Sequence, residues 1–181
     1  MKNSTKLFMA SCCALIASNA LAADGTIDIH GNVVSSSCSI SITTGVSNGS
    51  NATLTLPDVS VSALNSAGAT AGSSRMAFAL TSCPPNAAIR VNFESNNVDP
   101  SNGYLTNNAT DPAGNVEVQV LDRESNIIDL RNNSGNNDYA ENISDDAGNL
   151  NLLYFARYVA AGDAATPGTV DTQLVYTLEY R

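Results

Sequence analysis

Residues 169–181 read TVDTQLVYTLEYR, and this stretch predicts how the chain folds. Large apolar side chains occupy every second position of its second half: Leu174, Tyr176, Leu178 and Tyr180. A period of two is the period of a β-strand, whose successive side chains point to opposite faces of a sheet. We therefore expect a strand over 169–181 that has one buried face.

The same period recurs in earlier parts of the chain, between clusters of turn residues. Alternating apolar residues mark the runs 25–33, 76–80, 89–93 and 116–120. Residues 150–159 are more continuously apolar, which predicts a central strand that is apolar on both faces. Only 59–71 is expected to hold a short helical turn. Many short strands separated by turns predict an all-β protein, an antiparallel sandwich or barrel.

Composition limits the classes of function that the chain can serve. The 181 residues are 43% hydrophobic, which suffices for one packed domain. Acidic residues outnumber basic ones by 17 to 8, and the net charge is −9. Nucleic acids and anionic membranes attract basic surfaces, so this balance argues against both as partners.

Residues 1–22 have the features of a secretory signal peptide. Lys2 and Lys6 precede an apolar stretch at 7–17, and Ala20 and Ala22 form a small-x-small cleavage pattern. Cleavage would leave a mature chain that begins at Ala23. That chain contains no lysine.

The cysteines indicate a disulfide rather than a reactive thiol. Cys38 and Cys83 are the two cysteines beyond residue 22, and one disulfide is the usual state of such a pair in an exported protein. A catalytic thiol needs an adjacent base, and the single histidine, His30, lies on a predicted strand. One histidine also excludes a multi-histidine metal site. We therefore expect no catalytic, cofactor-binding or metal-binding residues, no small-molecule substrate and no enzymatic activity.

Both ends of the mature chain leave two interpretations open. A strand-like segment with Ile27 and Ile29 begins almost at the new N-terminus. It can dock as the first strand of its own domain, or it can add to the sheet of another molecule. The strand predicted at 169–181 can likewise close the sandwich or border an open apolar groove.

Six segments, taken together and in order, resemble the pilin subunits of chaperone–usher fimbriae of the type 1 kind. They read ADGTIDIHGNVV (23–34), CSI (38–40), LTSC (80–83), VEVQVLD (116–122), LYFARY (153–158) and VYTLEYR (175–181), with Gly168 and Tyr180 in place. The resemblance covers nearly all of the mature chain. It implies a subunit that contributes to bacterial cell adhesion.

The resemblance implies an incomplete immunoglobulin-like β-sandwich that lacks its seventh strand and has one disulfide between Cys38 and Cys83. A donor strand from a partner completes such a fold. Residues 23–32 would be the donor-strand extension and residues 33–181 the pilin domain. The implied partners are a periplasmic chaperone, an outer-membrane usher and neighbouring pilin subunits, and the implied location is an extracellular fimbrium reached through the periplasm.

The resemblance also assigns roles to individual residues. The inward face of the donor strand would be Gly25, Ile27, Ile29, Gly31 and Val33. The acceptor groove and the chaperone-docking edge would be formed by Gly168, Leu174, Tyr176, Leu178 and Tyr180.

The extension before Cys38 is shorter than in shaft pilins of this kind, which favours a minor adaptor subunit near the tip of the fibre. The alternative within the family is the major shaft pilin. The alternative from another class is a self-contained secreted β-sandwich that acts as a binding module.

Overall fold

A computed structural model of the protein describes residues 37–44, 50–136 and 142–181. Within these ranges the chain forms six strands and a one-turn 3-10 helix, Val61–Leu64. The strands are β1 (Ser39–Thr43), β2 (Thr70–Thr81), β3 (Ile89–Phe93), β4 (Val116–Leu121), β5 (Leu150–Ala160) and β6 (Tyr176–Tyr180). The predicted signal peptide and donor strand lie outside the described residues. No helix among the described residues has the length and apolar character needed to cross a membrane.

The strands form two antiparallel sheets. One sheet has four strands in the order β1-β2-β5-β4, and the other pairs β3 with β6. The rings of Phe78 and Phe93, one from each sheet, both contact Tyr154 edge to face, at centroid distances of 5.6 and 5.1 Å. These contacts join the two sheets through a common core, so the predicted sandwich is confirmed.

β5 lies inside the larger sheet and carries apolar residues on both faces, as predicted, but the two faces are buried to different degrees. Leu152 and Tyr154 are buried, whereas Leu153 and Phe155, which alternate with them, are only half-buried. The second layer of a sandwich covers one face of each sheet. The outer face of β5 is sheltered by long side chains, including Arg157, whose Nε donates to Gln119 Oε1 at 2.9 Å.

The predicted disulfide is confirmed and joins two neighbouring strands. Cys38 precedes β1 and Cys83 follows β2, with their Cα atoms 4.3 Å apart. Both side chains are buried. The backbone N–H of Cys38 donates to Tyr180 Oη at 3.0 Å. The disulfide therefore anchors β1, β2 and the end of β6 at one corner of the sandwich.

Residues 132–149 are rich in Asn and Asp, and several of those that are described form hydrogen bonds with β3. The Asn133 side chain accepts a hydrogen bond from the N–H of Phe93 and donates one to its carbonyl, both at 2.8 Å. Asn136 Nδ2 donates to the backbone carbonyl of Val91. The backbone carbonyl of Asn142 accepts a hydrogen bond from the N–H of Ile89. An asparagine amide carries one donor group and one acceptor group, as a peptide does. These residues therefore satisfy the outer edge of β3, where a neighbouring strand would otherwise be needed.

Candidate strand-binding groove

A groove of about 1220 Å³ opens between two extended segments of the chain. We call residues 50–58 the first rim and residues 165–176 the second rim. Core side chains from the larger sheet form its floor, among them Phe78, Val118 and Val120. The groove is therefore an opening into the hydrophobic core.

The first rim has the sequence pattern of a strand. Ala52, Leu54 and Leu56 are half-buried against the core, while Thr53 and Thr55 between them are exposed. Side-chain hydroxyls hold the segment in place, since Thr44 Oγ1 donates to the Thr53 carbonyl and Ser74 Oγ to the Thr55 carbonyl. No residue of this rim belongs to a strand of the described sheets.

The second rim is hydrogen-bonded to the loop that precedes β4. The N–H of Thr169 donates to the Asp111 carbonyl at 2.8 Å, and the N–H of Asn108 donates to the Asp171 carbonyl at 2.8 Å. This irregular pairing with a loop corrects the predicted strand over 169–181, because regular pairing begins only at Tyr176. Val170 and Leu174 nevertheless alternate along the rim as half-buried residues that pack on the core.

The two rims face each other without backbone pairing. Among the described residues no backbone hydrogen bond connects one rim to the other. At one end the Tyr176 hydroxyl donates to the Ser50 carbonyl at 2.7 Å, and at the other the N–H of Ala165 donates to the Leu64 carbonyl at 2.9 Å. Between these ends the gap offers apolar side chains and two strand-like edges. Such a site suits an extended peptide with apolar residues at alternate positions.

Burial changes the ionisation of the tyrosines that line the groove. It raises the pKa of the Tyr176 phenol above its ordinary value. Burial also raises the pKa of Tyr158, and the nearby carboxylate of Asp58 adds to that effect by disfavouring a second negative charge. The shifts reinforce the neutral form that a tyrosine already has at physiological pH, and both residues line the groove.

The structure places three of the five residues predicted for the groove in its lining: Gly168, Leu174 and Tyr176. Leu178 lines an adjoining cavity of about 300 Å³, which shares Leu174 and Tyr176 with the groove. Tyr180 lies farther along β6, at the disulfide corner. The five predicted donor-strand residues, Gly25, Ile27, Ile29, Gly31 and Val33, lie outside the described residues.

The first rim was missed by the sequence analysis. Its signal is the pentapeptide ATLTL at 52–56, which alternates as clearly as the recognised strands. The pattern is short and ends at Pro57, which makes it a weak strand signal in the sequence alone.

Gly168 has no room for a side chain. A Cβ atom at this position would lie 2.5 Å from the Pro112 carbonyl carbon and 2.6 Å from the Ala113 Cα. Backbone atoms cannot rotate away as a flexible side chain can. The glycine therefore lets the second rim approach the 112–113 backbone closely.

Gly168→Ala is expected to lower the free energy of unfolding by about 1–3 kcal/mol, the usual cost of overpacking. Urea denaturation measures the change. Gly162→Ala is the matched control, because its Cβ would meet no atom within 4 Å and its positive φ of 94° supplies backbone strain alone. A loss at Gly168 no larger than the loss at Gly162 would contradict the steric argument.

Comparison with known proteins assigns the chain that forms this groove to a family. The family described as type-1 fimbrial protein, A, matches residues 56–181, which include the last three residues of the first rim and all of the second. The chain belongs to the type-1 fimbrial protein family. It is 31% identical to the F17 fimbrial protein of Escherichia coli, over 93% of each chain. It is 34% identical to the major fimbrial subunit SMF-1 of Stenotrophomonas maltophilia, over 88% of this chain and 94% of that one.

Solved structures show the same fold. The P pilus rod subunit PapA superposes with a TM-score of 0.55 at 19% identity, over 86% of this chain and all of that one. The predicted family and the predicted incomplete immunoglobulin-like fold are confirmed. The chain is a structural subunit of a chaperone–usher fimbria and not an enzyme. It assembles with other pilin subunits into an extracellular pilus on the bacterial surface.

Proposed function

We propose that the groove receives a donor strand, first from a periplasmic chaperone and then, at the outer-membrane usher, from the N-terminal extension of the next subunit. The observation that supports this proposal is the pair of strand-like rims with no backbone bond between them in the described residues. A strand placed between the rims would cover the open core. It would also add main-chain hydrogen bonds along the edges of both rims.

The energetics favour an alternating strand in one register. Each buried Ile side chain contributes roughly 1.5–3 kcal/mol. Because the side-chain period is two, a slip of one residue would place the polar set of the donor strand against the apolar floor. Burial of an unpaired carboxylate there costs several kcal/mol, so the register is well defined.

By the same logic the extension of this chain, residues 23–32, fills the groove of a neighbour. Gly25, Ile27, Ile29, Gly31 and Val33 form its inward set in this proposal. Residues 1–22 direct export into the periplasm and are then removed. Donor and acceptor functions thus belong to different parts of one chain.

Leu174→Asp tests the groove. Leu174 lines both the groove and the smaller adjoining cavity and is half-buried, whereas the neighbouring Val175 is 39% exposed and lines only the adjoining cavity. We expect Leu174→Asp to reduce both the chaperone complex and incorporation into fibres at least tenfold, since each 1.4 kcal/mol is a factor of ten. Val175→Asp, the matched control, should leave both nearly unchanged. Pull-down with the chaperone and immunoblotting of sheared fibres provide the measurements.

Equal incorporation of the two variants would contradict the proposal. The self-contained binding module makes the opposite prediction for the chain that lacks residues 23–32. Expressed without a chaperone, that chain should fold as a stable monomer if the module interpretation is correct. It should aggregate or be degraded if the groove needs an occupant.

The adaptor position remains a prediction, because the relatives include both the major subunit SMF-1 and the minor subunit HifD of Haemophilus influenzae. We propose the adaptor position on the short extension before Cys38. Mass spectrometry of purified fibres decides it. A few copies per fibre identify an adaptor, and a large excess over every other subunit identifies the shaft pilin.

A further inference from the structure

The charged side chains that line the groove all have the same sign. Asp58 lies on the first rim and Asp171 on the second, and both are exposed. The described lining contains no Lys, Arg or His. No described salt bridge involves either aspartate. The mouth of the groove is therefore negatively charged on both sides.

The alternation of the second rim shows where Asp171 points. Val170 and Leu174 pack on the core, so Asp171 and Gln173 belong to the outward set. The outward side chains of a strand lying in the groove would be cross-strand neighbours of this set. Directly opposed residues on one face of a sheet have their Cβ atoms about 4.5–5.5 Å apart, where like charges destabilise pairing.

The chain's own extension carries carboxylates on that same outward face. With Ile27 and Ile29 directed inward, the outward set is Asp24, Thr26, Asp28 and His30. Self-insertion would place these two aspartates along a mouth that already holds Asp58 and Asp171. All four carboxylates would lie in solvent at the mouth, so their repulsion is modest and depends on ionic strength.

We propose that charge at the mouth of the groove selects against this chain's own extension and in favour of a different subunit's extension with neutral or basic outward side chains. This inference rests on the proposed strand-acceptor function. The partner is then a second kind of subunit. Its extension carries apolar residues on the inward face and no carboxylates on the outward face opposite the rims. Repeated self-insertion is disfavoured, as a subunit present in few copies requires.

The test compares occupants that are attached to the chain itself. Residues 23–181 are extended at the C-terminus by a short turn and a second copy of residues 23–34. The copy is made in three forms: unchanged, Asp24→Asn with Asp28→Asn, and Asp24→Lys with Asp28→Lys. The melting temperature of each protein is measured at about 10 mM and about 1 M salt, where the Debye lengths are about 30 and 3 Å.

At low salt we expect the protein with the lysine copy to have the highest melting temperature and the protein with the unchanged copy the lowest. Successive forms should differ by steps of about 2–4 °C. At high salt the three values should converge. In the Asp58→Asn, Asp171→Asn background the low-salt steps should shrink by at least half. The matched control, Glu124→Gln with Asp146→Asn, removes two charges outside the groove lining and should preserve the steps.

Equal melting temperatures at low salt, or steps that persist without Asp58 and Asp171, would overturn the inference. Failure of the strand-acceptor function gives a different result. In that case none of the three copies raises the melting temperature above that of the chain with no appended strand.

Discussion

A copy of residues 23–34 appended after Arg181 is expected to raise the melting temperature of the mature chain by about 10 °C. β6 forms the strand edge that continues the second rim and ends at Tyr180. A short turn can therefore bring the appended strand back antiparallel to β6 and along the groove. Burial of Ile27, Ile29 and Val33 contributes on the order of 5 kcal/mol before the cost of ordering the strand.

A net gain of about 3–4 kcal/mol corresponds to roughly 10 °C for a domain of this size, because each kcal/mol shifts the melting temperature by about 2–4 °C. The same chain should also become monomeric without a chaperone, which size-exclusion chromatography measures. The control carries Ile27→Asp and Ile29→Asp in the appended copy and should show neither effect. A rise of similar size in the control would show that the groove does not bind the apolar face of the strand.

Replacement of the disulfide by Cys38→Ser with Cys83→Ser is expected to cost about 4 kcal/mol of unfolding free energy. The bond closes a loop with a sequence separation of 45 residues. In the chain-entropy model, a loop of this size accounts for about that amount by restricting the unfolded chain. The bond also fixes the corner where Cys38 meets Tyr180, so β6 should fray in the variant.

Guanidinium denaturation of the variant and of the wild type, each carrying the appended copy of residues 23–34, with and without reductant, measures this effect. Reduced wild type should lose about as much stability as the serine variant, while reductant should leave the serine variant unchanged. An unfolding free energy within 1 kcal/mol of the oxidised wild type would contradict the expectation.

The strands and the core were largely predictable from the sequence. Alternation at 76–80, 89–93 and 116–120 located β2, β3 and β4, because their apolar side chains point to one face, although β4 also buries Gln119 on its other face. The short helical turn appears at Val61–Leu64, within the predicted range. The disulfide followed from having two cysteines in an exported chain.

The sequence-based predictions differ from the structure where backbone hydrogen-bond partners, rather than side-chain patterns, determine the conformation. Residues 169–175 alternate like a strand but bond to a loop, so they form a rim. Asn133 belongs to a polar segment that looks like a surface loop, yet its amide satisfies Phe93. A hydrophobic pattern indicates which side chains are buried. It does not indicate which group forms a hydrogen bond with each backbone N–H and carbonyl.

The sequence by itself determined the all-β class, the faces of most strands, the disulfide and, through resemblance, the pilin family. Only the tertiary structure decided that the rim at 50–58 lies across a groove from the rim at 165–176, and that each rim places one aspartate in the lining of that groove. The physical reason is the range of each interaction. Side-chain periodicity is local and can be read along the chain. The groove, in contrast, is formed by segments more than a hundred residues apart, which only the folded chain brings together.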